Sequence, residues 1–257
     1  MTDWNVLDPA PAFVGLANYQ EALTDDPAFI KSIAFTLKYV VCMVVLQNAL
    51  ALILALMVES RKKSNAAFRT ILFLPNMISM IVAGFIWMFV FTRVLPEWGR
   101  GSPFLSLLDR SWIGDASSSF WAIITVSLWG GVGYLMVIYI AALQGVSQQL
   151  KDAARIDGAG SLMTFRAVTL PLIMPSLTIG VFLTLNGSFK VFDVVFALTG
   201  GGPGRATQPI ALNVYEEAFR MSNRYGYASV KAFILFIIVL AITLVQISVM
   251  KKREIQA

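Results

Sequence analysis

Polar side chains gather at two places within the long apolar stretches of this 257-residue chain. Ser127, Trp129, Gly130, Gly131, Gly133 and Tyr134 make up the first group, and Thr184, Asn186, Gly187 and Ser188 the second. Hydroxyls and amides exchange hydrogen bonds with a polyol, an aromatic ring stacks on the apolar face of a sugar, and glycine leaves room for a ring. The same residue types also join helices in lipid, small ones at the contact and polar ones bridging it. By type and spacing alone, a solute cavity and a helix contact fit equally well.

The remaining inventory excludes most other chemistry. There is no histidine, which removes imidazole-dependent dyads and triads and histidine metal sites. Cys42 is the single cysteine, so neither an internal disulfide nor a cysteine-rich metal cluster can form. No catalytic residue and no metal ligand is assigned. Lys190 and Asp193, three apart, are expected to pair across one helical turn. Their alternative, a proton or cation relay, would make the chain an ion-coupled secondary carrier of a small polar solute. No other carboxylate falls inside the predicted spans to continue such a relay. Gly200-Gly201-Gly202-Pro203-Gly204 lacks the G-K-[ST] ending of a phosphate cradle and reads as a tight turn.

The elements that hold these groups must be helices in a membrane. With 57% hydrophobic and 14% charged residues, the chain has too little polar surface for a soluble globule. It is expected to be an all-α polytopic membrane protein. A hydrocarbon core takes about 20 largely apolar residues per helix, which predicts five spans: Ile33 to Val58, Thr70 to Phe91, Ser119 to Leu143, Val168 to Phe189 and Ser229 to Met250. Pro75 inside the second span, and Pro171 and Pro175 opening the fourth, predict kinks. The net charge of +5 comes from basic residues in short loops beside spans, a topological signal and not a nucleic-acid surface. The basic run from Glu59 to Ser64 and the ending Lys251-Lys252-Arg253 are expected on the cytoplasmic side. Asp3, Asp8, Glu21, Asp25 and Asp26 suit an external start. The expected division is therefore an external segment 1–31, a transmembrane domain 32–250 with a cytoplasmic loop 147–167, and a cytoplasmic tail 251–257.

That loop carries the most specific local pattern. Gly158 after a short helix can take the left-handed conformation that ends one helix and starts another, and Ser161 is a candidate N-cap for the second. Small Ala153, Ala154 and Ala159 near the bend would make a compact knob for another protein's groove.

Asp152-Ala153-Ala154, then Asp157-Gly158-Ala159, Phe165, Leu170-Pro171 and Pro175 resemble the cytoplasmic loop of binding-protein-dependent ATP-binding-cassette importer permeases. Asp152 stands where that family usually has Glu. Phe189 to Asp193, Leu198 to Pro203, Tyr215 to Phe219, Thr2 to Asn5 and Phe13 to Tyr19 extend the resemblance to the carbohydrate branch, the maltose and glycerol-phosphate type. The resemblance implies a type I importer permease fold in a bacterial or archaeal cell membrane. It implies half of a translocation path for a sugar, coupled to an ATPase through Asp152, Ala153, Ala154, Asp157, Gly158, Ala159 and Phe165. It places sugar contacts at Ser127, Gly131, Tyr134, Thr184, Gly187 and Ser188. The implied partners are a second permease, two ATP-binding-cassette ATPase subunits that hold ATP and Mg, an extracellular or periplasmic solute-binding protein and membrane lipid, with no nucleic acid. The chain itself is expected to carry no ATPase site and no cofactor. The front of the chain also resembles the segment after a family first helix, so a preceding helix is expected to be absent.

Overall fold

The computed structural model of the chain describes residues 2–5, 11–59, 65–101, 106, 108–221 and 224–251. The expected basic loop at 60–64 and the tail beyond Lys251 lie outside the described residues. Among those described, no strand forms; Thr2 and Phe13 make one isolated bridge.

The helices in chain order are α1 (Ala17–Gln20), α2 (Pro27–Glu59), α3 (Asn65–Phe73), α4 (Met80–Phe89), α5 (Leu95–Gly101), α6 (Ala116–Gln144) and α7 (Gln148–Ile156). They continue with α8 (Ser161–Thr164), α9 (Leu170–Phe189), α10 (Asp193–Leu198), α11 (Ile210–Glu216) and α12 (Tyr225–Lys251). Among the described residues, five helical runs are long and apolar enough to cross a membrane: Pro27–Glu59, Met80–Gly101, Ala116–Gln144, Ser161–Phe189 and Tyr225–Lys251.

The first, second and fourth runs depart furthest from the sequence expectation, each for a local reason. The first run starts at Pro27 rather than near Ile33, because Asp26 Oδ1 accepts the Phe29 amide at 2.8 Å and caps a polar first turn. The apolar stretch from Thr70 to Phe91 is not one helix. Pro75 has no N–H to donate and its ring crowds the preceding turn, so α3 ends at Phe73. A 3₁₀ turn covers Leu74–Met77 and Ile78 is extended. The membrane-length run then starts afresh at Met80, and a π-turn at Val90–Val94 carries it to Gly101. The fourth run starts at Ser161 instead of Val168, with a π-turn at Phe165–Thr169 where the missing amide of Pro171 would otherwise interrupt the ladder.

By its contacts the chain divides into two units: Met1–Val41, Ser79–Ser127 and Ser188–Leu240 form the first, and Cys42–Ile78, Leu128–Gly187 and Ala241–Ala257 the second. The first has a core of Ala22, Phe29, Ile210, Tyr227 and Val230. The core of the second includes Ala51, Ala55, Leu135, Met136, Tyr139 and Ile173. There the helices touch through small residues, as packing in lipid requires. A Cβ on Gly133 would lie 2.0 Å from the Leu72 carbonyl oxygen, so only glycine lets those two backbones meet.

Candidate functional site

The hairpin of the second unit is built from α7, a four-residue bend and α8. Gly158 has φ +84°. Its amide donates to the Arg155 carbonyl at 3.0 Å, and the Ala159 amide reaches back to Ala154 at 2.9 Å. These two bonds are the Schellman closure of a helix with glycine in the left-handed position. The N-cap of α8 is Gly160 and not Ser161, which becomes the first helical residue; the Thr164 hydroxyl returns to the Gly160 carbonyl at 3.1 Å. Asp152 accepts from Arg155 at 3.1 Å and from Gln148 at 2.9 Å, all on one exposed face of α7. Ala153 and Asp157 are exposed, Ala154, Ala159 and Phe165 half-buried.

The knob is less polar than its sequence suggests. Ile156 is 86% exposed, and Leu162 and Met163 are also turned outward. An exposed apolar patch of this kind is a candidate contact site for a protein or a membrane. Sequence reasoning weighed the small and charged residues of the loop and passed over these three. Their signal was present: apolar residues on both sides of a bend, with no core within the loop to receive them.

Within each of the two polar groups of the apolar stretches, the members behave differently. Ser127, in the first unit, is buried and accepts the Tyr39 hydroxyl at 2.8 Å. Ser188, also in the first unit, is buried. In the second unit Thr184 donates to the Gly180 carbonyl at 2.9 Å and accepts from Asn48 Nδ2 at 3.1 Å. Asn48 Oδ1 accepts the Tyr139 hydroxyl. The space beside Gly131 is taken by Gln47, whose Nε2 would lie 2.6 Å from an added Cβ. Asn76 Nδ2 donates to the Gly130 carbonyl at 3.2 Å. Tyr134, in contrast, is 42% exposed, and nothing lies within 4 Å of a Cβ built on Gly187. The Ser127 and Thr184 hydroxyls thus close hydrogen bonds within the protein, while one aromatic ring and one glycine remain open. Asn48, Gln47, Tyr39 and Tyr139 were not anticipated; the amides stand out only as polar residues inside the first span.

The expected pair of Lys190 with Asp193 does not form. The chain leaves α9 at Phe189 and Asp193 starts α10, so the two do not share a turn. A different lysine carries the buried charge. Lys231 of α12 is fully buried, with Nζ 2.7 Å from Asp26 and 2.9 Å from Glu217. It also donates to Asn213 Oδ1 at 3.0 Å and lies 4.4 Å from the centre of the Tyr227 ring. Tyr227 donates to the same Asp26 carboxylate at 3.0 Å. Beside it, Arg224 makes a two-pronged contact with Glu21, 2.7 Å on each oxygen. That guanidinium holds the Glu21 carboxyl below its ordinary value. Burial works against the charge of Asp26, but bonds from Lys231, the Phe29 amide and Tyr227 outweigh it and lower this carboxyl too. The signal in sequence was a single lysine inside the predicted span Ser229 to Met250, which is unusual enough in lipid to call for a partner.

A profile described as binding-protein-dependent transport system inner membrane component matches residues 47–252. The chain is 38% identical over 255 residues to the probable starch degradation products transport system permease protein AmyD of Thermoanaerobacterium thermosulfurigenes, covering 99% of this chain and 86% of that protein. It is 37% identical over 254 residues to the multiple sugar-binding transport system permease protein MsmF of Streptococcus mutans, covering 99% and 87%. Its fold is similar to a chain of a bacterial alginate ABC transporter solved in complex with an alginate pentasaccharide-bound periplasmic protein. The TM-score is 0.78 at 20% identity, over 91% of this chain and 81% of that one.

Proposed function

This chain belongs to the family of binding-protein-dependent transport system inner membrane components, and from that membership we propose that it is a permease subunit of an ATP-driven sugar importer. It is a multi-pass membrane protein. Its relatives move starch products and multiple sugars by name, which supports carbohydrate as the cargo here. The complex holds a second permease, two ATPase subunits that bind ATP and Mg, and an external solute-binding protein. ATP hydrolysis resides in the ATPase subunits, and this chain forms half of the path.

The observation that carries the reading is the exposed knob closed by Gly158. Its rigid bend and its outward Ile156, Leu162 and Met163 suit the cleft of a soluble ATPase, whose closure would then move the attached helices as a body. This puts the knob on the cytoplasmic side and the acidic N-terminal segment outside. For the sugar, Tyr134 and Gly187 supply an open ring and open space. Gly131 and Thr184 of the same unit frame it.

Copurification of the tagged chain from native membranes in mild detergent, followed by mass spectrometry, tests the assembly. Recovery of an ATP-binding-cassette ATPase with a second permease is expected. A chain recovered alone and active in ion-driven uptake would overturn the proposal. In the recovered complex, Tyr134→Ala is expected to lower sugar-stimulated ATPase activity severalfold without loss of assembly; unchanged stimulation would remove Tyr134 from the path.

A further inference from the structure

The first unit holds a cationic recess that the transport reading does not use. It measures about 450 Å³ and is lined by Lys31 and Lys38 of α2, Ser117 and Phe120 of α6, Phe35, and Arg205 of the loop after α10. Among the described residues no Asp or Glu lines it. Lys38 lies 4.2 Å from the centre of the Phe120 ring, which fixes one ammonium over an aromatic wall. Arg205 is held at the rim by a left-handed backbone, φ +64°. The first amides of α6 are already taken, since Asp115 accepts from Ser117 and Ser118 at 3.0 Å each. Positive charge in the recess therefore comes from side chains and not from a helix end.

Depth in the membrane narrows what could sit there. From Tyr39 to Val58, α2 carries no charged side chain and, at 1.5 Å per residue, spans about 30 Å, the thickness of a hydrocarbon core. Phe120 to Leu143 of α6 is likewise uncharged. Lys31 and Lys38 therefore lie where both spans reach the boundary of the bilayer. On α2 the face runs Lys31, Ala34, Lys38 and then Val41, at helical spacing, and Val41 is 63% exposed. Cations at the boundary with an open apolar surface on the same face match an anionic head and an apolar body.

We propose that this recess binds a phosphate group, supplied either by the headgroup of an anionic phospholipid or by a phosphate ester in solution. The ammonium groups of Lys31 and Lys38 neutralise it, the Ser117 hydroxyl is available as a donor, and Phe35 and Phe120 flank the carbon skeleton.

The test uses the assembled complex in nanodiscs of mixed phosphatidylcholine and phosphatidylglycerol, with retained lipid counted by native mass spectrometry. A second arm titrates glycerol 3-phosphate into complex in phospholipid-free detergent by calorimetry. Each lysine near an anionic surface is worth roughly fivefold in binding. Lys31→Gln with Lys38→Gln is therefore expected to lower phosphatidylglycerol preference by roughly 25-fold, and raised salt to weaken it in the unsubstituted protein. Loss of lipid preference alone assigns the site to a headgroup. Loss of glycerol 3-phosphate binding, with no lipid preference at the start, assigns it to the dissolved ester. Equal lipid retention in both proteins together with no glycerol 3-phosphate binding overturns the site. Both lysines are exposed, and the single Lys31→Gln, expected to read roughly fivefold, decides the same question should the double substitution fail to assemble.

Discussion

The knob around Gly158 and the cluster around Lys231 handle charge in opposite ways. On the knob, Asp152 and Arg155 meet at 3.1 Å with more than half of each side chain in water, where the pair is free to come apart. At Lys231 the ammonium is 1% exposed and its partners Asp26 and Glu217 are 17% and 16% exposed. There, removing one member strands the others. The knob keeps its shape through backbone bonds and one left-handed glycine and leaves its side chains available. In the cluster, side chains tie the neighbouring segments around Glu217 and Lys231 to the distant one at Asp26. The surface proposed to meet a partner is made locally, and a fixed junction is made by burying charge.

The sharpest way to break this contrast is to remove the central cation. Lys231→Leu leaves Asp26 and Glu217 without their shared partner and is expected to cost about 3–5 kcal/mol, seen as a large drop in melting temperature or loss of folded protein in detergent. A change below about 1 kcal/mol would place the cluster with ordinary surface pairs. Next in size is Gly158→Asp, which forces a side chain into the left-handed region at about 1–2 kcal/mol of local strain. The subunit is expected to assemble with near-normal melting, while uptake per ATP hydrolysed falls at least about tenfold through the loss of rigid-body transmission. Full uptake would show that the bend has no coupling role.

Acid separates the two regions further. Glu21 and Asp26 titrate below their ordinary values in the folded protein, so their ionised forms stabilise it above the ordinary carboxylate range. That contribution is lost as pH falls through the lowered folded values. Melting temperature is expected to stay level from about pH 8 to 6 and to fall below about pH 4. Arg224→Gln, which frees Glu21, should flatten part of that fall; an identical acid profile would remove the pair from the account. The smallest effect belongs to the knob. Asp152→Asn is expected to change stability by no more than about 0.5 kcal/mol, and a larger shift by differential scanning fluorimetry would mean that the exposed pair is structural after all.

Legibility follows the same division. Gly158 was readable because the turn that needs it is made by residues 153 to 160 alone, and a left-handed position selects glycine whatever surrounds it. The five membrane runs were readable from length and apolarity. The break at Pro75 was readable only as a kink, since proline marks the weak point of a helix without saying how far the chain opens. The partners of Lys231 were not readable: Asp26 and Glu217 come from opposite ends of the chain, and no local pattern reports a meeting of that kind. Among the polar residues of the spans, type could not separate a satisfied hydroxyl such as Thr184 from an open ring such as Tyr134. That distinction depends on Asn48 and on the side of the helix left uncovered.

The apolar dressing of the knob also bears on how such a subunit is counted in the cell. Ile156, Leu162 and Met163 face water whenever no partner covers them. A copy made in excess would display a sticky flag of the kind that chaperones and proteases inspect. Surplus copies would be cleared and matched ones spared, so the surface proposed to dock would also keep the stoichiometry.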